Sequence, residues 1–234
     1  NLDKFAQQAA RFTNAYPEAL PTIPIRTQLC TGNRTLPYRP WQPLVATDRN
    51  VGEMLDAYGY TNALITDTYH VMKPNMNFHR GFHVYRWIRG QETDAWESAP
   101  HSKNLNDYTN ADWNPRAKQM TDQYLRNIEE WKSEADTFPA RVFSEAARWL
   151  ERNAQTRQPF FLWVDSFDPH EPWNPPEAYL RLYADPAYKG KRYIHPPYGR
   201  TDWMKPEELK HTRALYAGEV TLVDKWLGVL LDKI

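Results

Sequence analysis

Apolar residues recur along the chain with two different periods, which predict helices and strands in alternation. Residues 1–10 carry a helical stripe of Leu2, Phe5, Ala6, Ala9 and Ala10. The alternating segment RFTNAY and the compact apolar runs TNALITDTY and QPFFLWVDSF, which polar residues, glycine or proline bound, predict strands. Apolar runs of this kind are typical of strands buried in a parallel or mixed sheet.

Three later stretches also have helical spacing. Their apolar positions are Met120, Tyr124, Ile128 and Trp131, then Phe143, Ala146, Ala147 and Leu150, and finally Leu215, Leu222, Val223, Trp226, Leu227, Leu230 and Leu231. Alternation of strands with helices predicts an α/β sandwich. The intervals 73–114 and 172–204 lack this spacing, and we expect long loops there at one end of the sheet, where such folds keep their sites.

The charges of the chain balance, with 29 Lys plus Arg against 29 Asp plus Glu in 234 residues. This balance gives no electrostatic reason to expect nucleic acid or a membrane surface as a partner. No apolar run approaches the ~20 residues of a membrane span, and the first residues lack the pattern of a secretory signal, so we expect a soluble chain. Compartment and oligomeric state stay open, because one cysteine excludes only an internal disulfide.

The segment PTIPIRTQLCTG holds two candidate nucleophiles, Thr22 and Cys30. Thr22 is predicted to be the N-cap of a helix, where free N–H groups and the helix dipole favour a bound oxyanion. Arg26 lies one turn further on the same face and can reach the same anion. Cys30 precedes the predicted stop at Gly32, so we interpret it as a small buried hydrophobe. On local sequence alone, a capped helix with a surface arginine is the alternative interpretation.

The same segment resembles the sulfatase signature of the alkaline phosphatase superfamily, Cys or Ser-x-Pro-x-Arg followed by a short helix ending in Thr-Gly. Four further segments resemble the family in the same order: NLDKFAQQAARFTNAY, AYGYTNALITDTYH, PFFLWVDSFDPHEPWNPP and ALYAGEVTLVDKWLGVLLDKI. The resemblance implies an alkaline-phosphatase-like α/β sandwich with a mixed, mostly parallel sheet flanked by helices. It also implies one partial domain over residues 1–234, incomplete at both ends.

The resemblance assigns roles to four residues. Thr22 takes the place of the nucleophile and Arg26 that of the arginine that stabilises it. The family's Lys-x-His element gives His70 as a group near the nucleophile, with Thr68 at the lysine position. The loop DPHEPW gives His170 as the acid or as a contact to the ester oxygen, tasks that suit a side chain with a pKa near neutrality.

Other candidates have weaker support. Lys73 is a candidate substrate-binding residue that replaces the cation lost at Thr68. Without the resemblance, a histidine that caps a strand end is an equal interpretation of His70. We expect the remaining histidines to be surface or loop residues: His79, His83, His101, His195 and His211.

The resemblance also implies a divalent cation, calcium or similar, in the complete domain. Thr22 would be one ligand, and most of the others belong to strands before the first helix and after the last helix of this chain. Without that cation the nucleophile is not activated and the developing charge is poorly stabilised. We therefore expect the chain to be a fragment of a longer protein, with little activity by itself.

The presence of threonine at position 22, in place of Cys or Ser, affects which class of ester is expected as the substrate. Sulfatases convert Cys or Ser to formylglycine, whereas threonine would give a ketone, so an alkoxide nucleophile and phosphate or phosphonate esters are favoured over sulfate. The leading hypothesis is a sulfatase-like, metal-dependent hydrolase of small sulfate, phosphate or phosphonate esters with Thr22 as its nucleophile. The alternative is a catalytically inactive sulfatase-like binding or scaffold protein. A phosphatase that uses Cys30 is disfavoured because Arg34 follows too closely for a phosphate loop.

Overall fold

A parallel sheet forms the centre of the fold. The computed structural model describes residues 1–36, 38–153 and 155–234, and within them the sheet has three strands in the order β2–β1–β3. The strands are β1 (Thr61–Thr66), β2 (Val84–Trp87) and β3 (Phe160–Asp165). In the central strand, Leu64 lies beside Tyr85 of β2 and Trp163 of β3. The carboxyl ends of all three strands therefore meet at one edge of the sheet.

Two of the strands confirm the sequence prediction, and one prediction is wrong. The run TNALIT forms the central strand β1, which is buried over nearly its whole length, and the run FFLWVD forms β3, which is half-buried apart from the exposed Phe160. Residues 11–16, RFTNAY, form no strand, and Phe12 is 82% exposed. A β-rich segment becomes a strand only where a sheet edge can pair with it, and no described strand lies beside this one.

Strand β2 lies inside the interval 73–114 that was expected to be a long loop. Its four residues, VYRW, are mostly exposed or half-buried. An edge strand this short carries too few apolar positions to show a period, so the sequence does not reveal it. The interval 172–204 is irregular apart from one short helix.

Helices form at the predicted stretches and also at three short segments where the sequence predicted none, residues 51–56, 69–72 and 177–180. They are α1 (Leu2–Ala6), α2 (Thr22–Thr31), α3 (Val51–Asp56), α4 (Tyr69–Met72), α5 (Pro115–Asn127), α6 (Phe138–Asn153), α7 (Glu177–Leu180) and α8 (Pro206–Leu231), with 3₁₀ turns at Leu105–Asp107 and Glu134–Asp136. The stripe over residues 1–10 forms a shorter helix than predicted, since α1 ends at Ala6. None of the helices in the described part of the chain has the length and apolar character that crossing a bilayer requires.

The sheet is covered on both faces, as an α/β sandwich requires. Ala63 and Ile65 of β1 face a core built by α6 and α8. Side chains alternate along a strand, so Leu64 points to the opposite face, where Cys30 of α2 and Trp163 line a small apolar space. A third cluster, which includes Tyr124, Phe138, Leu180, Ile194 and Leu215, joins α5, α6, α7 and α8.

Candidate active site

Thr22 is the first residue of α2 and not its N-cap. The Ile25 N–H donates to the Pro21 carbonyl at 3.2 Å, which closes the first helical turn one residue earlier than predicted. Pro21 is the N-cap, and no side chain of a described residue caps this helix end. The N-cap prediction is therefore wrong by one residue. Thr22 remains half-buried at the start of the helix, where its hydroxyl is not needed for capping.

Cys30 is a buried residue near the other end of the same helix, as the sequence predicts. The helix ends at Gly32, whose φ of 70° is left-handed and whose N–H donates to the Gln28 carbonyl. The thiol is 4% exposed. Burial, aided by the negative charge of Asp165, raises the pKa of Cys30 to about 12. A thiol with this pKa is almost entirely protonated near neutral pH and is a poor nucleophile.

Arg26 links the start of α2 to the carboxyl ends of two strands. Its Nε and Nη2 donate to the two carboxylate oxygens of Asp165, at 2.7 and 2.6 Å, in a bidentate ion pair. Nη1 donates to the Thr22 carbonyl, and Nη2 also donates to the Thr68 hydroxyl, each at 3.3 Å. The structure thus brings together three positions that the sequence singled out, and it adds Asp165. Sequence reasoning missed Asp165, although its position as a carboxylate at the end of an apolar strand could have indicated it.

His70 lies on α4, directly after β1, and pairs with Glu92. The distance between His70 Nε2 and Glu92 Oε2 is 2.9 Å, and the Glu92 side chain is buried whereas that of His70 is 13% exposed. An ionised carboxylate only accepts, so Nε2 carries the proton and Nδ1 of the neutral ring keeps its lone pair. Trp41 and Tyr69 pack against the ring, with centroid distances of 4.9 and 3.9 Å. Glu92 follows the unpredicted strand β2, which explains why sequence reasoning missed it.

His170 lies in the loop after β3 and is held by its own neighbours. Its Nδ1 is 2.8 Å from the Glu171 carbonyl oxygen, which can only accept, so Nδ1 carries the proton and Nε2 is free to exchange one. The Phe167 ring stacks on His170 at 4.1 Å and contacts His70 edge-on at 5.7 Å. Phe167 therefore lies between the two predicted histidines. The described hydrogen bonds join neither histidine directly to Thr22.

Two histidines that were expected on the surface or in loops are buried. The His195 side chain is 6% exposed, with Nε2 3.9 Å from Glu171 Oε1, and burial lowers its pKa. His101 is equally buried and pairs with Asp122 at 3.1 Å. Both lie in irregular intervals, where the sequence carries no periodic signal for burial. Glu171 approaches His195 with one carboxylate oxygen and His170 with the other, at 3.4 Å.

Three buried carboxyl groups lie beneath this loop. The Phe167 N–H donates to Asp67 Oδ1, and Gln91 Nε2 donates to Asp168 Oδ1, both at 2.6 Å. Burial raises the pKa of Asp67, which the negative charge of Asp168 raises further, and burial with the charge of Glu219 raises the pKa of Asp168. Burial raises the pKa of Glu219 to about 8. These groups hold the backbone on either side of the His170 loop and join the ends of β1 and β3.

Lys73 lies beside His70 rather than beside Arg26. Its Nζ is 4.4 Å from the centroid of the Tyr69 ring. Lys73 and His70 line the same open cavity of about 600 Å³, together with Glu92. In the described contacts Lys73 does not touch Thr68, whose missing charge it was expected to replace.

The described residues do not form a metal centre of their own. Over residues 1–36, 38–153 and 155–234, no three His, Cys, Asp or Glu side chains come together in an arrangement that could hold an ion. Asp165, the carboxylate nearest to the start of α2 in the contacts above, is already bound on both oxygens by Arg26. The residues present therefore do not fit a complete divalent-cation site, and Thr22 alone cannot supply one.

A parallel sheet with helices on both faces and polar side chains at the carboxyl ends of its strands defines an α/β protein, and the candidate site residues lie at that edge. The chain belongs to the sulfatase family, since the family model described as Sulfatase matches residues 1–234. This membership confirms the predicted family, whereas the roles of Thr22, His70 and His170 stay predictions.

Two curated relatives are similar over most of the chain. The uncharacterized sulfatase YidJ of Escherichia coli (strain K12) is 26% identical over 193 residues, which cover 81% of this chain and 37% of YidJ. The multifunctional alkaline phosphatase superfamily protein PehA of Trinickia caryophylli is 23% identical, covering 97% of this chain and 52% of PehA. The chain thus spans about half the length, or less, of these curated relatives.

Solved structures share the fold. The phosphonate monoester hydrolase of Agrobacterium radiobacter superposes with a TM-score of 0.59 at 19% identity, over 93% of this chain and 50% of that one. The structure of BT4656 in complex with its substrate D-glucosamine-2-N,6-O-disulfate gives a TM-score of 0.63 at 14% identity, over 99% and 56% of the two chains. These likenesses confirm the predicted alkaline-phosphatase-like architecture.

Proposed function

We propose that this protein hydrolyses sulfate, phosphate or phosphonate esters of small molecules and that Thr22 is its nucleophile. The observation that carries the proposal is the set of contacts around Arg26, which joins Thr22, Thr68 and Asp165 at the edge where the strands end. Family membership supports the reaction class. The fold neighbours include a phosphonate monoester hydrolase and a protein bound to a disulfated glucosamine, which supports anionic esters as the substrate class.

The proposed reaction has two steps. Thr22 Oγ attacks the phosphorus or sulfur atom and loses its proton to His70 Nδ1, while the bond to the leaving oxygen breaks and that oxygen takes a proton from His170 Nε2. Water then attacks the phosphorus or sulfur atom of the ester on Thr22 and gives a proton to His170. The bond from that atom to Thr22 Oγ breaks, protonated His70 returns a proton to Oγ, and the sulfate, phosphate or phosphonate leaves. Both histidines suit these roles because their other ring nitrogen is held by Glu92 or by the Glu171 carbonyl.

We propose that the complete protein binds a divalent cation, calcium or similar. Among the residues of this chain, Thr22 would be a ligand of that cation. When bound, such an ion would lower the pKa of the attacking hydroxyl and balance the charge of the ester. Nucleic acid and membrane are not part of the proposal, and the substrate is a small anionic ester, near which Lys73 adds a positive charge.

A substrate panel tests this proposal. Aryl sulfate, phosphate monoester, phosphate diester and phosphonate substrates are assayed with the protein, with and without a chelator. Thr22→Val keeps the shape and removes the hydroxyl, and we expect it to lower turnover at least about 100-fold. Thr31→Val is the matched control, because its hydroxyl donates to the Thr27 carbonyl at the far end of the same helix. Turnover that survives Thr22→Val would contradict the assignment.

A specific observation favours the second candidate, an inactive binding or scaffold protein. The Nε and Nη2 of Arg26 are engaged by Asp165, and Thr68 stands where the family's lysine would be, so less positive charge is free to hold an anion. Under this alternative the wild type binds ester analogues but turns over no member of the panel, with or without added divalent ion. Turnover that depends on Thr22 excludes it.

A further inference from the structure

An open groove is lined in part by His70, and Arg26 is not among its lining residues. We call it the His70 groove, and it is lined by Trp41, Tyr69, His70, Lys73, Glu92 and Arg116 together with residues of the first turns of α5. Its volume is about 600 Å³, enough for a substituted sugar or a small aryl group. His70 is part of the groove lining, so a substrate that His70 contacts lies next to this space.

The charges of the groove are unbalanced. Lys73 and Arg116 are exposed, and within the described part of the chain neither forms an ion pair. The acid that lines the groove, Glu92, is hydrogen-bonded to His70, so the lining holds two cations against one carboxylate. Most other cations near the site are neutralised, as Arg26 is by Asp165 and Arg89 by Asp94. Two cations without acidic partners in a concave surface attract an anion.

The rest of the lining suits a ring that carries polar groups. Trp41 packs edge-on against His70 and leaves about half of its own surface exposed to the groove and solvent. Gln119, one turn after Arg116 on α5, adds an exposed amide. An aromatic face beside amide and cationic donors is a common arrangement for holding a ring with anionic substituents.

We propose that the His70 groove is a subsite for a second anionic group on the substrate, bound by Arg116 and Lys73. The protein would then select esters whose leaving group carries a further sulfate, phosphate or carboxylate over singly charged esters. The inference rests on the proposed function, because it takes His70 as the point where the reacting ester ends and the leaving group begins.

Binding measurements test the subsite separately from catalysis. A disulfated monosaccharide and its monosulfated counterpart are titrated by calorimetry into Thr22→Val, which cannot turn them over. We expect Arg116→Gln on this background to weaken binding of the disulfated sugar about fivefold and to leave the monosulfated sugar unchanged. Adding Lys73→Gln should remove the remaining preference. High salt should reduce the preference in the parent protein as well.

A matched control lies on the same helix. Lys118→Gln removes one positive charge two residues from Arg116, but Lys118 lies outside the groove lining and its Nζ donates to the Ala111 carbonyl. We expect it to leave the preference between the two sugars unchanged. Circular dichroism checks that each variant is folded, which we expect because Arg116 and Lys73 are exposed and Lys118 and Thr22 are only half-buried.

Three results would overturn the subsite. The first is that the disulfated sugar does not bind measurably. The second is that Arg116→Gln weakens the binding of both sugars equally. The third is that Lys118→Gln weakens binding of the disulfated sugar as much as Arg116→Gln does. A wild type that binds the disulfated sugar selectively but hydrolyses nothing would refute the proposed function and keep the subsite. A wild type that hydrolyses both sugars without preferring the disulfated one would refute the subsite and keep the proposed function.

Discussion

The ion pair between Arg26 and Asp165 can be tested by a double-mutant cycle. Its two side chains are only 16% and 13% exposed, and both carboxylate oxygens accept from the guanidinium. Asp165→Asn keeps the shape and leaves the arginine charge without its counter-ion. Breaking a buried pair costs about 3–5 kcal/mol of unfolding free energy, and because some water reaches this one we expect about 3 kcal/mol.

The second arm of the cycle removes the cation. Arg26→Met leaves Asp165 unpaired and should also destabilise the protein, whereas the double variant leaves no unpaired charge. We therefore expect the double variant to lose at least about 2 kcal/mol less than the sum of the two single variants. Urea denaturation followed by circular dichroism measures all four proteins.

An exposed pair provides the control for this cycle. Arg200 and Asp202 are 88% and 65% exposed, so Asp202→Asn should leave the denaturation midpoint almost unchanged. Additive single variants would refute the argument that Arg26 and Asp165 are energetically coupled. So would an Asp165→Asn protein as stable as Asp202→Asn.

Three further predictions concern stability and reactivity. A Cβ at Gly81, where φ is 74°, would lie 2.2 Å from the Glu53 backbone nitrogen, so Gly81→Ala should lower the urea midpoint far more than Gly59→Ala, where φ is also positive but space is open. The pKa of Glu219 is raised to about 8, so the folded state holds a proton that the unfolded chain releases near pH 4.5. Stability should fall as pH rises between these values, and Glu219 contributes up to about 1.4 kcal/mol per pH unit to this slope. Glu219→Gln should remove that contribution in urea titrations, whereas the part due to Asp67 and Asp168, whose pKa values burial also raises, should remain. Cys30 should react with a disulfide reagent at pH 8 only after denaturant unfolds the protein, because burial raises the pKa of its thiol to about 12.

Each of these predictions has a clear contrary result. Equal midpoints for the two alanine variants would show that the backbone at Gly81 can move away from Glu53. A wild-type slope equal to that of Glu219→Gln would mean that Glu219 is ionised in the folded state. Stoichiometric labelling of Cys30 without denaturant would mean that the helix carrying it opens readily.

Periodic segments of the chain were predictable because their signal is local. Helices α5, α6 and α8 show apolar stripes over three turns or more, and β1 and β3 are continuous apolar runs that need cover on both faces. The stop of α2 at Gly32 was equally local, since a left-handed residue there favours glycine. In each of these cases the residues that decide the structure are neighbours in the sequence.

The failed predictions depend on partners that are distant in sequence. RFTNAY has the composition of a strand and VYRW is too short to show a period, yet only VYRW pairs with β1. Similarly, the start of α2 was misplaced by one residue, because a hydrogen bond from Ile25 to the Pro21 carbonyl closes the turn without help from the Thr22 side chain. Strand pairing and register depend on the segment that lies beside a strand in the fold, and a single sequence does not show which segment that is.

The site shows the same division, and the strand order explains it. Strand β1 is central, so the residues that follow it can contact residues that follow both neighbouring strands. On one side His70 pairs with Glu92 after β2, and on the other side Asp67 accepts the N–H of Phe167 after β3. The sequence could place His70 at the end of a strand. It could not identify Glu92 as its partner, because that pairing requires β2 to be recognised as a strand and placed beside β1.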